Sequence, residues 1–135
     1  MGINQQSLLR NVEIRAAAIL TTSYVASSSV QTFDCTQGLL LYDFTIGSLT
    51  SCEIKIQVSN DNTNWYDMPF DNTSGVTPSG GEYVAQETSY VRQLKETASR
   101  YIPFGIKAHY VRAMAKGTGT VTSSSLRLQF VAGAI

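Results

Sequence analysis

The sequence has few of the side chains that catalysis, metal binding and electrostatic recognition require. Its 135 residues include one histidine and two cysteines, and only 15% of them are charged, against about 25% in an average soluble domain. Ten Lys and Arg balance ten Asp and Glu, so no net field attracts the phosphates of a nucleic acid or an anionic membrane. We therefore expect neither nucleic acid nor a membrane as a partner.

Long apolar runs are also missing. The longest candidate, Ala16 to Leu20, has five residues, whereas a bilayer-spanning helix needs about 20. The first residues lack the basic start, apolar stretch and small-residue cleavage site of a secretory signal. We expect the chain to fold in a cytoplasm, where Cys35 and Cys52 would stay reduced.

No combination of titratable residues indicates a reaction. His109 lies in an apparent strand and has no nucleophile-elbow pattern near it. Cys35 and Cys52 are seventeen positions apart and have no neighbouring histidine, which does not fit a zinc site. The scattered aspartates are explained as strand-end and turn residues. The sequence thus predicts no enzyme, no catalytic or metal-binding residue and no cofactor.

What the sequence does contain is alternation. Ser and Thr make up 29 of the 135 residues, and three stretches alternate apolar and polar side chains as half-buried strands do: 39–46, 52–59 and 125–130. Clusters of Gly, Ser, Asn and Asp separate the strands without intervening helical patterns. This favours an all-β fold, an antiparallel β-sandwich of jelly-roll or immunoglobulin-like type.

The division of the chain follows from the same patterns. Residues 1–10 are expected to form a short N-terminal arm, and residues 11–135 a single sandwich domain. A Gly117–Thr120 turn would join residues 107–115 and the last strand in a hairpin. Residues 71–81, with three Gly and one Pro, have the composition of an exposed loop.

Two regions leave alternatives open. Residues 9–20 fit helical and strand spacing equally well, although Thr21–Val25 favours a strand after about Ala16. Residues 82–99 fit either a short helix or two strands.

The most specific local string runs from Ser59 to Tyr66, Ser-Asn-Asp-Asn-Thr-Asn-Trp-Tyr. Short Asn and Asp side chains bond nearby amides and tolerate left-handed backbone, so the string predicts a turn between two strands. It resembles the Asp-box hairpin, Ser-x-Asp-x-Gly-x-Thr-Trp, but is one residue shorter and has Thr63 in place of the glycine. In that family the motif is structural. A calcium site on Asp61, Asn62 and Asn64 is disfavoured because the turn holds a single carboxylate.

Aromatic and arginine side chains provide the candidate binding residues. Trp65, Tyr66 and Tyr83 could form a stacking platform for a sugar or an unpaired base, but packing in or over the sandwich is the favoured interpretation. Arginines on two apparently adjacent strands and the apolar chain ends are candidate contacts with other subunits. This candidate interface consists of Leu8, Leu9, Arg10, Arg100, Arg112 and Ile135.

The order of the segments resembles that of small β-sandwich virion proteins of tailed bacteriophages, over about residues 16–132. The matching segments are 18–25, 41–45, 53–61 with Trp65-Tyr66, 100–102, 110–112 and 119–128. The resemblance implies a non-enzymatic virion protein, foremost a capsid decoration or cement protein on the capsid exterior. Its implied partners are the major capsid protein and further copies of itself, as a dimer or trimer. The alternatives are a head-tail connector or tail component, and a carbohydrate-binding β-sandwich module.

Overall fold

A computed structural model describes residues 10–69, 77–79, 82–84 and 90–133. Within these ranges the regular structure is entirely strand, with no helix. The strands are β1 (Arg10–Ala18), β2 (Val25–Ala26), β3 (Val30–Gln31), β4 (Gln37–Thr45), β5 (Leu49–Ser59), β6 (Tyr66–Met68), β7 (Thr77–Ser79), β8 (Glu82–Val84), β9 (Arg92–Leu94), β10 (Ala98–Gly105), β11 (Tyr110–Gly119) and β12 (Ser125–Gly133).

The strands form two antiparallel sheets packed as a sandwich. Sheet A has the order β1-β12-β4-β10. Sheet B has the order β2-β11-β5-β6, with β3 also paired to β11 and β9 to β5. Strands β7 and β8 pair with each other. The predicted all-β, antiparallel sandwich is confirmed.

Strict alternation builds the core between the sheets. Strands β4, β5, β11 and β12 turn every second side chain inward over most of their length, and most of these inward side chains are buried. Sheet A contributes its large side chains from β4, β12 and β10, and sheet B contributes from β5 and β11. The buried residues include Leu40, Tyr42, Phe44, Ile102, Leu126, Leu128 and Phe130 of sheet A and Ile54, Ile56, Val111, Ala113 and Ala115 of sheet B.

The passage from sheet A to sheet B between β4 and β5 depends on Gly47. Its φ of 55° lies in the left-handed region, which glycine adopts without steric cost. A Cβ there would also collide with the backbone carbonyl of Ser123. The turn is closed by a hydrogen bond from the Leu49 amide to the Ile46 carbonyl, 3.0 Å long.

The predicted hairpin between residues 107–115 and the last strand is wrong. Strand β11 pairs with β5 in sheet B, whereas β12 pairs with β1 and β4 in sheet A. The chain crosses from sheet B to sheet A after Gly119. The prediction failed because a turn rich in Gly and Thr is compatible with such a crossover as well as with a hairpin. The prediction that Arg100 and Arg112 lie on adjacent strands is also wrong, because β10 belongs to sheet A and β11 to sheet B.

Where the two ambiguous regions form regular structure, they form strands. Strand β1 occupies Arg10–Ala18, so it begins earlier than predicted. The predicted strand through Thr21–Val25 is wrong, because residues 19–24 connect β1 to the two-residue strand β2. Residues 82–84 and 92–94 are β8 and β9, and β10 begins at Ala98. Residues 85–89 lie outside the described residues, as does most of the predicted loop 71–81, of which Thr77–Ser79 is β7.

The edge strands of both sheets have features that block pairing with another strand. Strand β1 is interrupted by register shifts on both sides of Arg15, and the Arg15 guanidinium donates to the carbonyls of Leu126 at 3.1 Å and Ile19 at 3.0 Å. Strand β10 carries Pro103, which has no N–H to offer at an open edge. The outer strands of sheet B are two or three residues long. Association through sheet faces is therefore easier than strand addition.

The inward and outward faces of β4 can be distinguished by two neighbouring leucines. Leu40 is 1% exposed, whereas Leu41 is half-buried on the outer face. We expect Leu40→Ala to lower the free energy of unfolding by about 2–5 kcal/mol, because it leaves a cavity in the core. Leu41→Ala should cost about 1 kcal/mol or less, because little apolar area returns to water. Urea denaturation of both variants measures this, and equal losses would contradict the assigned faces.

Candidate functional site

The string from Ser59 to Tyr66 forms a hairpin turn between β5 and β6, as predicted. Asp61 organises it: its Oδ1 accepts from the backbone amides of Thr63 at 2.9 Å and Asn64 at 2.8 Å, and from the Ser59 hydroxyl at 2.9 Å. Its Oδ2 accepts from the Asn64 side-chain amide at 2.7 Å. Asn62 takes the left-handed conformation, with a φ of 60°, which asparagine tolerates better than most residues.

These hydrogen bonds stabilise the charged form of Asp61. The backbone amides of Asn64 and Thr63, followed by the side chains of Asn64 and Ser59, hold the pKa of the Asp61 carboxyl well below its usual range. Because both oxygens are already engaged by donors within the turn, the carboxylate acts as a structural anchor. It is poorly placed to bind a calcium ion as well.

A shallow cavity of about 180 Å³ lies beside this turn. We call it the turn cavity. Both strands of the hairpin contribute to it, and the segment before β11 closes one side. Its lining residues are Val58, Ser59, Asn60, Asp61, Asn64, Tyr66 and Ala108. The sequence indicated the turn, but it gave no sign that Ala108 would face it.

Of the predicted aromatic platform, the side chains of Trp65 and Tyr66 are described, and they have different surroundings. Trp65 lies under the Arg112 guanidinium, whose central carbon is 4.3 Å from the ring centroid. Tyr66 lines the turn cavity instead and is 66% exposed. Tyr83 lies in β8, whose side chains are outside the described part of the structure.

Trp65 and Arg112 belong to a polar network over the outer face of sheet B. Arg112 Nε donates to Gln57 Oε1 at 2.8 Å, and Gln57 Nε2 donates to Asp67 Oδ1 at 2.8 Å. Lys55 pairs with Asp67 at 3.2 Å. The hydrogen bond from Gln57, followed by that from Lys55, lowers the pKa of Asp67.

Tyr24 continues this network along sheet B. Its hydroxyl donates to Glu53 at 3.1 Å, and the ammonium groups of Lys55 and Lys116 lie 4.4 and 4.9 Å from its ring centroid. Burial, then the hydrogen bond to Glu53, raises the pKa of Tyr24 to about 12. Because each charged group in the network has an intramolecular partner, this face offers little unpaired charge to another molecule.

The three described members of the candidate interface, Arg10, Arg100 and Arg112, lie on three different strands, β1, β10 and β11. Arg10 begins β1 and is bound to the Gln31 carbonyl and to Asp34, so it is part of the sandwich and not of a separate arm. Arg100 pairs with Glu96 at 3.0 Å on the surface near β10, and Arg112 stacks on Trp65. Leu8, Leu9 and Ile135 lie outside the described residues. The contacts of these six residues with other subunits stay a prediction.

An apolar surface that the sequence analysis missed covers one end of the outer face of sheet A. The strand register places Leu39 between Val131 and Pro103, and Leu41 between Gln129 and Tyr101. Tyr101 is 63% exposed, Pro103 is exposed, and the aliphatic members are half-buried. We call this surface the outer patch: Leu39, Leu41, Tyr101, Pro103 and Val131. Only the register of three strands that are distant in sequence brings these residues together.

Charged residues bound the outer patch on one side. Arg127 donates to Glu13 and to Asp43, the latter at 3.3 Å. The hydrogen bond to Glu13, followed by that to Asp43, raises the pKa of Arg127. An apolar centre with a polar margin is the usual anatomy of a protein–protein contact surface.

Within the described ranges, no three His, Cys, Asp or Glu side chains are grouped as a metal site would need. The same ranges contain no helix long and apolar enough to span a membrane.

Comparison with known proteins identifies the fold and no specific family. No protein-family model matches the chain, and no curated protein matches it in sequence. A crystal structure of the SPBc2 prophage-derived protein YomS superposes with a TM-score of 0.58 and 14% identity, over 99% of this chain and 100% of that one.

A second similar structure is a chain from Bacillus endospore appendages, described as a novel family of disulfide-linked pili. It superposes with a TM-score of 0.52 and 8% identity, over 100% of this chain and 96% of that one. Both resemblances therefore extend over the entire sandwich.

The lowered pKa of Asp61 makes the contribution of the turn to stability dependent on pH. A carboxyl whose pKa is depressed by folding stabilises the fold above its ordinary pKa of about 3.9 and loses that contribution as the pH falls towards the folded value. We expect Asp61→Asn to melt at a lower temperature than the wild type near pH 7, and the difference to shrink steadily below about pH 4. Calorimetry across this range measures it.

Asn62→Gly is the matched control in the same turn. It preserves every hydrogen bond to Asp61 and keeps a residue that adopts positive φ, so its melting temperature should differ from the wild type by a constant amount across the pH range. If the difference in melting temperature between Asp61→Asn and the wild type did not depend on pH, the charged carboxylate would not be what stabilises the turn.

Proposed function

We propose that this chain is a non-enzymatic structural subunit of a phage particle, and specifically a decoration protein that binds the major capsid protein on the outside of the shell and stabilises it. The observation that carries the proposal is the similarity of the whole sandwich to a prophage-derived protein. The sequence resemblance to small phage virion proteins supports the same role independently.

The outer patch is the surface through which we expect the subunit to bind. It is apolar, lies on the outer face of sheet A and is bounded on one side by the Arg127 ion pairs. The outer face of sheet B is covered by its own hydrogen-bonded network, and all four edges of the sheets are bulged, proline-bearing or short. Sheet A therefore offers the best surface for docking onto a shell or onto another copy of the subunit.

Self-assembly into a filament is a second candidate, favoured by the similarity to the endospore appendage chain. That structure belongs to pili described as disulfide-linked. Here Cys35 is 6% exposed and Cys52 is fully buried. A filament of this chain would therefore have to be held together by non-covalent contacts in the folded state.

The two thiols are expected to be inert in the native protein. Burial raises the pKa of the Cys52 thiol to about 12, and reaction requires the thiolate. With Ellman's reagent near pH 8, we expect slow reaction of the folded protein and rapid reaction of both thiols in guanidinium chloride. Non-reducing electrophoresis after air oxidation should show monomers. Covalent dimers formed from folded protein would argue for a disulfide-linked assembly instead.

A role as a decoration protein predicts how many copies bind to each particle and how they affect its stability. Purified protein added to particles that lack it should bind at tens to hundreds of copies, whereas about six or twelve copies would indicate a position on the tail axis. Bound particles should resist heating better than bare ones. Particles that neither bind the protein nor gain stability from it would contradict the proposal.

Two aspartate substitutions test the docking surface. Tyr101→Asp introduces a charge into the outer patch and should lower the affinity for the shell at least about tenfold, since burying an unpaired charge is unfavourable. Met114→Asp introduces the same charge on the outer face of sheet B, where Met114 is half-exposed, and should leave binding unchanged. Melting temperatures of both variants verify folding. Equal binding by the two variants would show that the outer patch is not the contact.

A further inference from the structure

The turn cavity has features of a binding site that the proposed structural role does not use. Its volume is about 180 Å³. This is less than the 300–1,000 Å³ typical of sites for drug-sized ligands. It suits a single small ring lying against the surface.

One wall of the turn cavity is an aromatic ring. Tyr66 is 66% exposed even though it stands in β6, paired with Val58 of β5. Val58 and Ala108 add apolar surface beside it. A flat, half-solvated ring next to small apolar groups fits a ligand that has an apolar face of C–H groups.

The other side of the turn cavity carries neutral hydrogen-bonding groups that are already held in position. Asn64 donates its side-chain amide to Asp61 at 2.7 Å, which fixes the amide and leaves Oδ1 as an acceptor. Asn60 Oδ1 receives only a long contact, 3.4 Å, from the His109 amide. Among the described residues, no acceptor is found for the Asn60 Nδ2 group. The cavity thus offers both a donor and an acceptor.

The charge in the turn cavity limits the class of ligand. The lining contains no Lys or Arg, and the Asp61 carboxylate repels anions, so a phosphate or carboxylate ligand is unsuited. A metal cation is unsuited too, because the oxygens of Asp61 are already engaged by four hydrogen bonds from the turn. What remains is a neutral ring with hydroxyl groups at its rim and C–H groups on its face.

From these features we infer that the turn cavity binds one pyranose ring of a glycan. Tyr66 stacks on the C–H face of the sugar, Asn60 donates to a hydroxyl oxygen, and Asn64 Oδ1 accepts from a neighbouring hydroxyl. Trp65 takes no part, because Arg112 covers its ring. Because the site is shallow and contacts one face of the ring, a single sugar binds with a dissociation constant on the order of millimolar.

A titration followed by ¹H–¹⁵N correlation spectra tests this on the full chain. The ligands are glucose, galactose, mannose and N-acetylglucosamine, with inorganic phosphate as an anionic comparison. The expected result is a saturable shift of the amides of Asn60, Asn64, Tyr66 and Ala108 with at least one sugar and none with phosphate. If none of the four sugars shifts these amides, or if the shifts map to another surface, the inference is overturned.

Paired tyrosine variants distinguish binding at the turn cavity from nonspecific binding of sugars to exposed aromatic rings. Tyr66→Ala should weaken sugar binding at least tenfold. Tyr101→Ala, which removes a ring of nearly equal exposure from the outer patch, should leave it unchanged. Asn60→Asp, which replaces the donor with an acceptor, provides a second test should Tyr66→Ala disturb the hairpin. Wild-type affinity in both Tyr66→Ala and Asn60→Asp would refute the site, whatever the outcome of shell binding.

Discussion

The burial of two facing sets of apolar side chains is the interaction on which the rest of the molecule depends. Each fully buried Leu, Ile or Phe contributes about 1.5–3 kcal/mol relative to exposure, and sheet A supplies most of the large ones. The small Ala113 and Ala115 of sheet B lie on β11 in the same core. Since the strands alternate, fixing the inner faces also fixes which residues lie outside, and so the surfaces available for binding.

The two outer faces have different chemistry for this reason. On sheet B, opposite charges occupy neighbouring positions on β5, β6 and β11, and the rings of Trp65 and Tyr24 beside these strands contact the cations. The charged groups around Lys55, Gln57 and Asp67 are therefore paired with one another. On sheet A, the corresponding positions at one end carry aliphatic and aromatic groups that have no such partners. This difference between the two faces is why the proposed docking surface lies on sheet A.

The sequence was informative where the structure depends on neighbouring residues. The alternation in residues 39–46, 52–59 and 125–130 predicted β4, β5 and β12, and the Asp61 string predicted its hairpin, because both signals are local. Strand pairing is not local. Of residues 107–115, those from Tyr110 onward pair with β5, although their spacing fits a hairpin with β12 equally well. The turn cavity and the outer patch were missed because strand register and crossover geometry assemble them; Ala108 and Val131 have nothing in their own surroundings to mark them.

The pairing of β1 with β12 has a consequence for how the molecule is made. Arg10 lies opposite Ala132, so the first described strand has no partner in sheet A until β12 has been synthesised. Contacts between such distant segments carry a large loop-closure entropy, and proteins dominated by them fold in milliseconds to seconds. During synthesis, the edge of β4 that pairs with β12 would stay open until residues 125–133 emerge, and an unpaired strand edge makes an incomplete chain prone to aggregation.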